Sequence, residues 1–271
     1  MKYKLLATDM DGTLLDDNKQ IDECTRNIIN KAISKGLIFV IASGRPIKTL
    51  RKYLSLFDND IYVIAYNGSL IQTSKTNKII FKEYIEKEIL IKIVKFLNDN
   101  NKTFIAWQDD NLYCNVKNAY TDNYQKVSSV DMIEIKDYNM FYNMKINKVI
   151  MIDSEENIKT FMPIVNENLK EDCTFVTSQA YFLEFMKKGI NKASSLAEVC
   201  KILDIKRDEV IAIGDGFNDL DMLQFAHLNV APSNACEEIK GCVNYVTSSN
   251  NNGGVRKVIE KFVLGEENER K

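Results

Sequence analysis

The 271-residue sequence predicts an α/β fold in which both ends of the chain build one parallel-sheet core and an α+β unit is inserted between them. Three observations carry this expectation. Short, nearly continuous apolar runs recur at residues 4–8, 37–42, 61–66 and 210–213, the pattern of strands covered on both faces. Each run ends in a polar turn that contains glycine. Between residues 83 and 186 the composition changes to fewer glycines and more aromatics, then reverts.

In chain order, residues 22–35 have helical spacing through Ile28, Ile29, Ala32 and Ile33, with Gly36 placed to end the helix. Pro46 can open a second helix running to about residue 57. The middle reads as a helix over 87–98, strands at 103–107, 112–115 and 149–152, a helix over 155–169, and strands near Phe175 and at 182–186. The last third reads as a helix over 192–203, a strand at 210–213, a helix through Met222 and Leu223, strands at 228–231 and 245–247, and a closing helix over 253–263. The charged stretch 266–271 reads as a frayed tail. The domain expectation is a core of residues 1–82 and 190–271 with an insert of 83–189. In parallel sheets the ligand crevice lies at the carboxyl ends of the strands. Asp9, Asp11, Ser43 and Asn67 fall there.

Composition narrows the chemistry. The single histidine, His227, excludes sites that need two, so carboxylates, Lys, Ser or a hard metal ion are left to carry a reaction. A net charge of −2 argues against a nucleic-acid binder. Cys24, Cys114, Cys173, Cys200, Cys236 and Cys242 form no C-x-x-C pair and read as reduced, mostly buried thiols of a cytoplasmic protein. The first apolar stretch is too short for a signal segment, and no run approaches a membrane span.

Two acidic clusters stand at strand ends. Asp9-Met10-Asp11-Gly12-Thr13-Leu14 puts two carboxylates two residues apart, with Gly12 allowing a tight turn. Such a turn can hold Mg²⁺ through oxygen ligands and leave one carboxylate to attack phosphorus and another to move a proton. By itself it is as often an ordinary acidic turn. Gly214-Asp215-Gly216-Phe217-Asn218-Asp219 is the second cluster, and Asp215 could complete a metal site with Asp9; its spacing is not that of an EF-hand. Ser43-Gly44-Arg45 offers a hydroxyl and backbone N–H groups before a helix, an anion site or simply an N-cap. Lys192 offers a point charge for phosphate, or an ordinary surface lysine. Trp107, Phe104, Tyr113 and Tyr120 could line a substrate pocket but read better as core packing, and His227 as a surface or capping residue.

Taken in order, these motifs resemble the haloacid dehalogenase superfamily, and more closely its Cof-type subclass IIB phosphatases, over nearly the whole chain. The resemblance implies a Rossmann-like parallel-sheet core with an inserted α+β cap domain. It implies Asp9 as nucleophile, Asp11 as acid–base residue, and Mg²⁺ held by Asp9, the Asp11 carbonyl and Asp215, with Asp219 in support. Ser43, Lys192 and the Met10 and Gly44 backbone would grip the phosphoryl oxygens, with Asn218 nearby; Thr13, Arg45 and Asn67 would support the site. The implied partner is a small phosphorylated metabolite, sugar phosphates first, with pyridoxal phosphate, nucleotides and flavin mononucleotide as alternatives. It implies no nucleic acid or membrane, and the chain a monomer or small homo-oligomer. A phosphomannomutase-like transferase shares these motifs; its bisphosphate would call for an Arg or Lys cluster, and no Arg lies between Arg51 and Arg207. A phospho-accepting receiver would need no such insertion. After the fourth motif, Asn229-Val230-Ala231-Pro232-Ser233-Asn234-Ala235 departs from the family pattern at Pro232 and Ser233, and Ala193 follows the lysine of the third motif.

Overall fold

The computed structural model describes residues 2–265, so the expected frayed tail lies outside the described residues. The elements, in chain order, are β1 (Leu5–Thr8), α1 (Glu23–Ser34), β2 (Ile38–Ala42), α2 (Ile47–Leu54), β3 (Tyr62–Ala65), β4 (Leu70–Thr73) and β5 (Ile79–Lys82). There follow α3 (Lys87–Asp99), β6 (Phe104–Gln108), β7 (Asn111–Cys114), α4 (Ala119–Ser128), β8 (Met132–Glu134), α5 (Tyr138–Phe141), β9 (Lys148–Ile152), α6 (Glu155–Leu169), β10 (Cys173–Gln179) and β11 (Phe182–Lys187). The chain closes with α7 (Lys192–Ile202), β12 (Val210–Ile213), α8 (Leu220–Phe225), β13 (Leu228–Pro232), α9 (Glu237–Lys240), β14 (Tyr245–Thr247) and α10 (Gly254–Val258).

The first sheet has the order β14-β13-β12-β1-β2-β3-β4-β5. From β14 to β3 it is parallel, as the apolar runs require. β1 is buried at every residue because it sits between two neighbours and under helices on both faces. The β4–β5 hairpin extends this sheet antiparallel, which the strand–helix alternation did not predict. Tight local turns make these two connections, so no crossover helix marks them in the sequence. Helix termini follow the caps: the Asp22 carboxylate accepts from Thr25 N–H, and Gly36 follows α1 at φ +98°. The closing helix is α only as far as Val258, and π-helical turns continue it over Ile259–Leu264.

The inserted segment builds a second sheet, β10-β11-β9-β6-β7-β8, antiparallel except for β7–β8. Alternation along β6 decides its two faces. Phe104 and Ala106 pack under α3 and α6, while Ile105 and Trp107 point to the other face and join the core cluster of the first sheet. α4 and β8, unforeseen from sequence, cover part of that inner face through Tyr124 and Met132. The thiols divide evenly: Cys114, Cys173 and Cys200 are buried, but Cys24, Cys236 and Cys242 are exposed, and none is in a disulfide. The exposed three flank helix ends or turns, where apolar neighbours in sequence do not imply burial. No described helix is long and apolar enough to cross a membrane.

Candidate active site

The sheet order brings the motifs together. β1 lies between β12 and β2, and Thr8 is in register with both Ile213 and Ile41. Asp9 therefore leaves the sheet beside the turns that carry Asp215 and Ser43. Its N–H donates to the Ile213 carbonyl at 2.9 Å. Gly12 turns the chain at φ +78°, where a Cβ would stand 2.3 Å from Asp215 Oδ2, so only glycine lets the two acidic loops meet. Thr13 Oγ1 donates to Asp215 Oδ1 at 2.6 Å. Met10 has a buried side chain, and its carbonyl accepts from Leu14 and Leu15 N–H, so its N–H is what it can offer a ligand.

Lys192 opens α7 because Asn191 and Ser194 form a reciprocal cap around it. It is 1% exposed and lies beneath Asp9, not on the cavity wall. Its Nζ donates to Asp9 Oδ1 at 2.6 Å and to Asp219 Oδ1 at 2.5 Å. Asp219 Oδ2 accepts from the N–H groups of Asp215 (3.1 Å) and Gly216 (3.0 Å). Asp9, Asp215 and Asp219 offer carboxylate oxygens within 4.8 Å of one another. The carboxylate cluster thus contains Asp219, expected only in support, and not the Asp11 side chain.

Two of these three carboxylates, Asp9 and Asp219, bond the one ammonium of Lys192. Burial raises the Asp9 pKa well above the usual range; Lys192 pulls it down, and Asp219 and Asp215 push it further up. Burial and Asp219 push Asp215 to about 6. Burial works against the Lys192 charge, but Asp219 and Asp9 outweigh it and hold the ammonium protonated. A cluster of hard oxygen donors with excess negative charge fits a divalent cation such as Mg²⁺.

Asp11 has different partners. Arg45 grips it as a fork, Nε to Oδ2 at 2.6 Å and Nη2 to Oδ1 at 2.7 Å, and Lys19 Nζ reaches Oδ1 at 3.0 Å. Burial pushes its pKa up, but Arg45 and Lys19 prevail and hold it below the usual carboxylate range. The Ser43 hydroxyl oxygen accepts from Arg45 N–H at 3.1 Å. Gly44 is required beside Asn67, whose Oδ1 would stand 2.8 Å from a Cβ there. Asn218 Nδ2 donates to that same Oδ1 at 3.4 Å. Asn234 Nδ2 donates to the Gly12 carbonyl at 2.8 Å, bracing the first acidic loop.

Two residues that sequence reasoning missed come from the insert. Lys148 and Glu184 are buried and paired, Nζ to Oε2 at 2.7 Å. Lys148 also donates to the Gly44 carbonyl at 2.7 Å, and Asn67 Nδ2 donates to Glu184 Oε2 at 2.5 Å. A signal was present: each is a charge among apolar strand residues, Lys148 in step with Ile150 and Ile152 and Glu184 opposite Ile150. Breaking such a pair leaves a buried charge uncompensated. Lys148→Met is therefore expected to lose about 3–5 kcal/mol of stability. The Lys148→Met/Glu184→Gln double variant should recover most of it in thermal unfolding. Additive losses would show that the two charges do not act as a pair.

A cavity of about 750 Å³ opens over these groups, lined by Asp9, Asp11, Ser43, Gly44, Asp215 and Asn218 below and by the insert above. Tyr120, read from sequence as core, is on its wall; Trp107 and Phe104 are core as expected, and Tyr113 is half-buried. A second crevice of about 620 Å³ is lined by Asp16, Asn250 and Arg256 and holds no motif acid; Ser233 faces it rather than the site. His227 is exposed near Tyr3, outside the cavity.

A model of the haloacid dehalogenase-like hydrolases matches residues 6–259. The chain is 32% identical over 267 residues to YxeH of Bacillus subtilis, named as a phosphatase, covering 97% of this chain and 99% of the relative. It is 30% identical over 277 residues to the 5-amino-6-(5-phospho-D-ribitylamino)uracil phosphatase YcsE of the same organism, covering 96% of each. The solved structure of the subclass IIB sugar phosphatase BT4131 superimposes with a TM-score of 0.81 at 25% identity, covering 96% of this chain and 98% of that one.

Proposed function

The chain belongs to the haloacid dehalogenase-like hydrolases, and from that membership we propose that it is a Mg²⁺-dependent phosphatase of small phosphorylated metabolites that works through an aspartyl-phosphate on Asp9. The observation that carries this reading is the Asp9 carboxylate, bonded to buried Lys192 at 2.6 Å and opening on a cavity that Asp11 also lines.

In this reading, residues 1–82 and 190–271 are the catalytic core, and 83–189 is a cap that excludes water and selects the leaving group. Asp9 Oδ attacks phosphorus. The bond from phosphorus to the leaving oxygen breaks, its electron pair stays on that oxygen, and Asp11 supplies the proton. Water then attacks the aspartyl-phosphate, gives its proton to Asp11 and frees Asp9 and phosphate. At rest Asp11 is ionised against Arg45. A phosphate dianion competes for that guanidinium, so Asp11 takes up its proton as Arg45 turns to the substrate. Ser43 and the Gly44 and Met10 backbone hold phosphoryl oxygens, with Asn218 beside them. Lys192, from beneath, offsets part of the burial cost of the Asp9 charge and aims the carboxylate.

Asp9, Asp215 and the Asp11 carbonyl would hold Mg²⁺, with Asp219 supporting or joining them. When bound, the ion neutralises phosphoryl charge. The similarity to YcsE, whose substrate by name is a uracil-bearing phosphate, supports a small phosphomonoester. The protein is proposed to act in the cytoplasm, as a monomer or small homo-oligomer, without nucleic acid or membrane. The test is phosphate release from acetyl phosphate and a metabolite panel, with Mg²⁺ and with chelator. Release that needs Mg²⁺ is expected; no release from any substrate overturns the reading.

The acids also predict a pH-dependent response to the metal. Asp215 is raised to about 6 in the folded chain, against about 4 when unfolded. Between these values the folded chain holds the extra proton, so metal-free stability falls as pH rises through that window. Mg²⁺ can replace the proton only where the acid is ionised. Mg²⁺ should therefore raise the Tm at about pH 7.5 and change it little near pH 5. Equal shifts at both would place the ion elsewhere.

A further inference from the structure

We propose, resting on the phosphatase reading, that the alcohol released by this enzyme carries a flat, uncharged ring and no second anionic group. The insert's wall of the cavity points to this. Val127 is 79% exposed, Tyr181 45% and Tyr120 43%, and all three line the one cavity above Asp9. Phe182 and Tyr124 complete that wall. Tyr181 and Phe182 meet edge-to-face at 4.5 Å, and Phe182 and Tyr124 at 5.6 Å, so the rings brace one another. Exposed rings and an aliphatic side chain converging on one site are unpaired apolar surface that a flat ring can cover.

Charge on the same wall argues against an anionic leaving group. The insert contains no arginine. Lys148 is the one cation that it adds to the lining among the described residues, and this lysine is buried against Glu184 and the Gly44 carbonyl. The lining acids from the insert are Asp153, Glu155 and Glu184. On the core side Arg45 and Lys19 hold Asp11 at rest and face the transferring phosphoryl group in turnover, and exposed Lys52 sits over the Tyr53 ring at 4.7 Å. A second phosphate or a carboxylate would therefore have Lys52 alone to pair with, beside Asp153 and Glu155, which already hold Lys102 and Lys159, and no arginine of the insert to clamp it. Neutral polar groups are at hand instead. Asn123 and Gln179 line the cavity, and the Tyr124 hydroxyl accepts from Trp107 Nε1 at 3.0 Å, leaving its proton for a ligand oxygen.

The test compares kcat/KM for three substrate sets with acetyl phosphate as reference, since its leaving group is too small to reach the wall. Uridine monophosphate and flavin mononucleotide should exceed glucose 6-phosphate by about tenfold. Fructose bisphosphate and 3-phosphoglycerate should fall about a hundredfold below the ring-bearing pair. Val127→Lys, at an exposed position that tolerates it, should raise 3-phosphoglycerate relative to uridine monophosphate by about tenfold. Tyr181→Ala should lower the ratio of uridine monophosphate to acetyl phosphate by a similar factor. Glucose 6-phosphate or the anionic esters matching the ring-bearing pair overturns the proposal while the phosphatase reading stands. Silence on every substrate, acetyl phosphate included, overturns both.

Discussion

Asp9→Asn is expected to cut phosphate release by about 10⁴-fold or more, because an amide oxygen does not form the phospho-enzyme. The fold should not suffer. The Asp9 pKa is raised in the folded chain, so the fold favours the neutral form of this side chain. Asparagine is that form without a proton, and it removes one of the carboxylates crowded around Lys192. Metal-free Asp9→Asn protein should thus melt at or above the parent's temperature while losing turnover. The two readouts are phosphate release and thermal unfolding in chelator. Activity near the parent's in a folded variant would place the nucleophile elsewhere.

Lys192→Met should have the opposite effect on stability and a comparable effect on rate. The Lys192 pKa is raised, so its stabilising contribution is complete below the ordinary lysine pKa and fades only as pH climbs through the raised one. At neutral pH all of it is lost on substitution. Removing one partner of a buried ionic cluster costs about 3–5 kcal/mol. The rate should fall about 10³-fold, because Asp9 loses the donor that favours its ionised form and aims it. What activity remains should need higher pH, since Asp9 holds its proton more tightly without the ammonium. The measurements are thermal unfolding and the pH profile of kcat/KM. An unshifted acid limb would show that Lys192 does not govern the charge of Asp9.

These opposite signs could not be read from the motifs. In sequence, Lys192 is a lysine at the start of a helix, taken alone more often a surface residue than a phosphate ligand. Its burial beneath Asp9 follows from α7 packing against the end of β3, where Ser195 Oγ donates to the Gly68 carbonyl at 2.6 Å. Arg45, expected from the motifs only to support the site, is paired with Asp11 in the structure. The β4–β5 hairpin and α4 lacked the long periodic spacing that marked α1 and α6. The exposed cysteines were misjudged because sequence neighbours report local polarity, not which side of a helix or turn meets solvent.

The sequence by itself determined the chemistry at the strand ends. Apolar runs fixed the parallel strands, glycines fixed the turns, and the order of Asp9, Ser43, Asn67, Lys192 and Asp215 placed the acids and the proposed phosphate-binding groups at the carboxyl ends of the strands. That much is local: strand periodicity and turn conformation act over a few residues. Only the tertiary structure decided which charges pair and what stands over the site. Lys148 on Gly44, Glu184 on Asn67 and Lys192 on Asp9 join residues about 100 or more positions apart. A partner's identity in a buried pair depends on how two sheets stack, and single-sequence periodicity carries no record of that stacking.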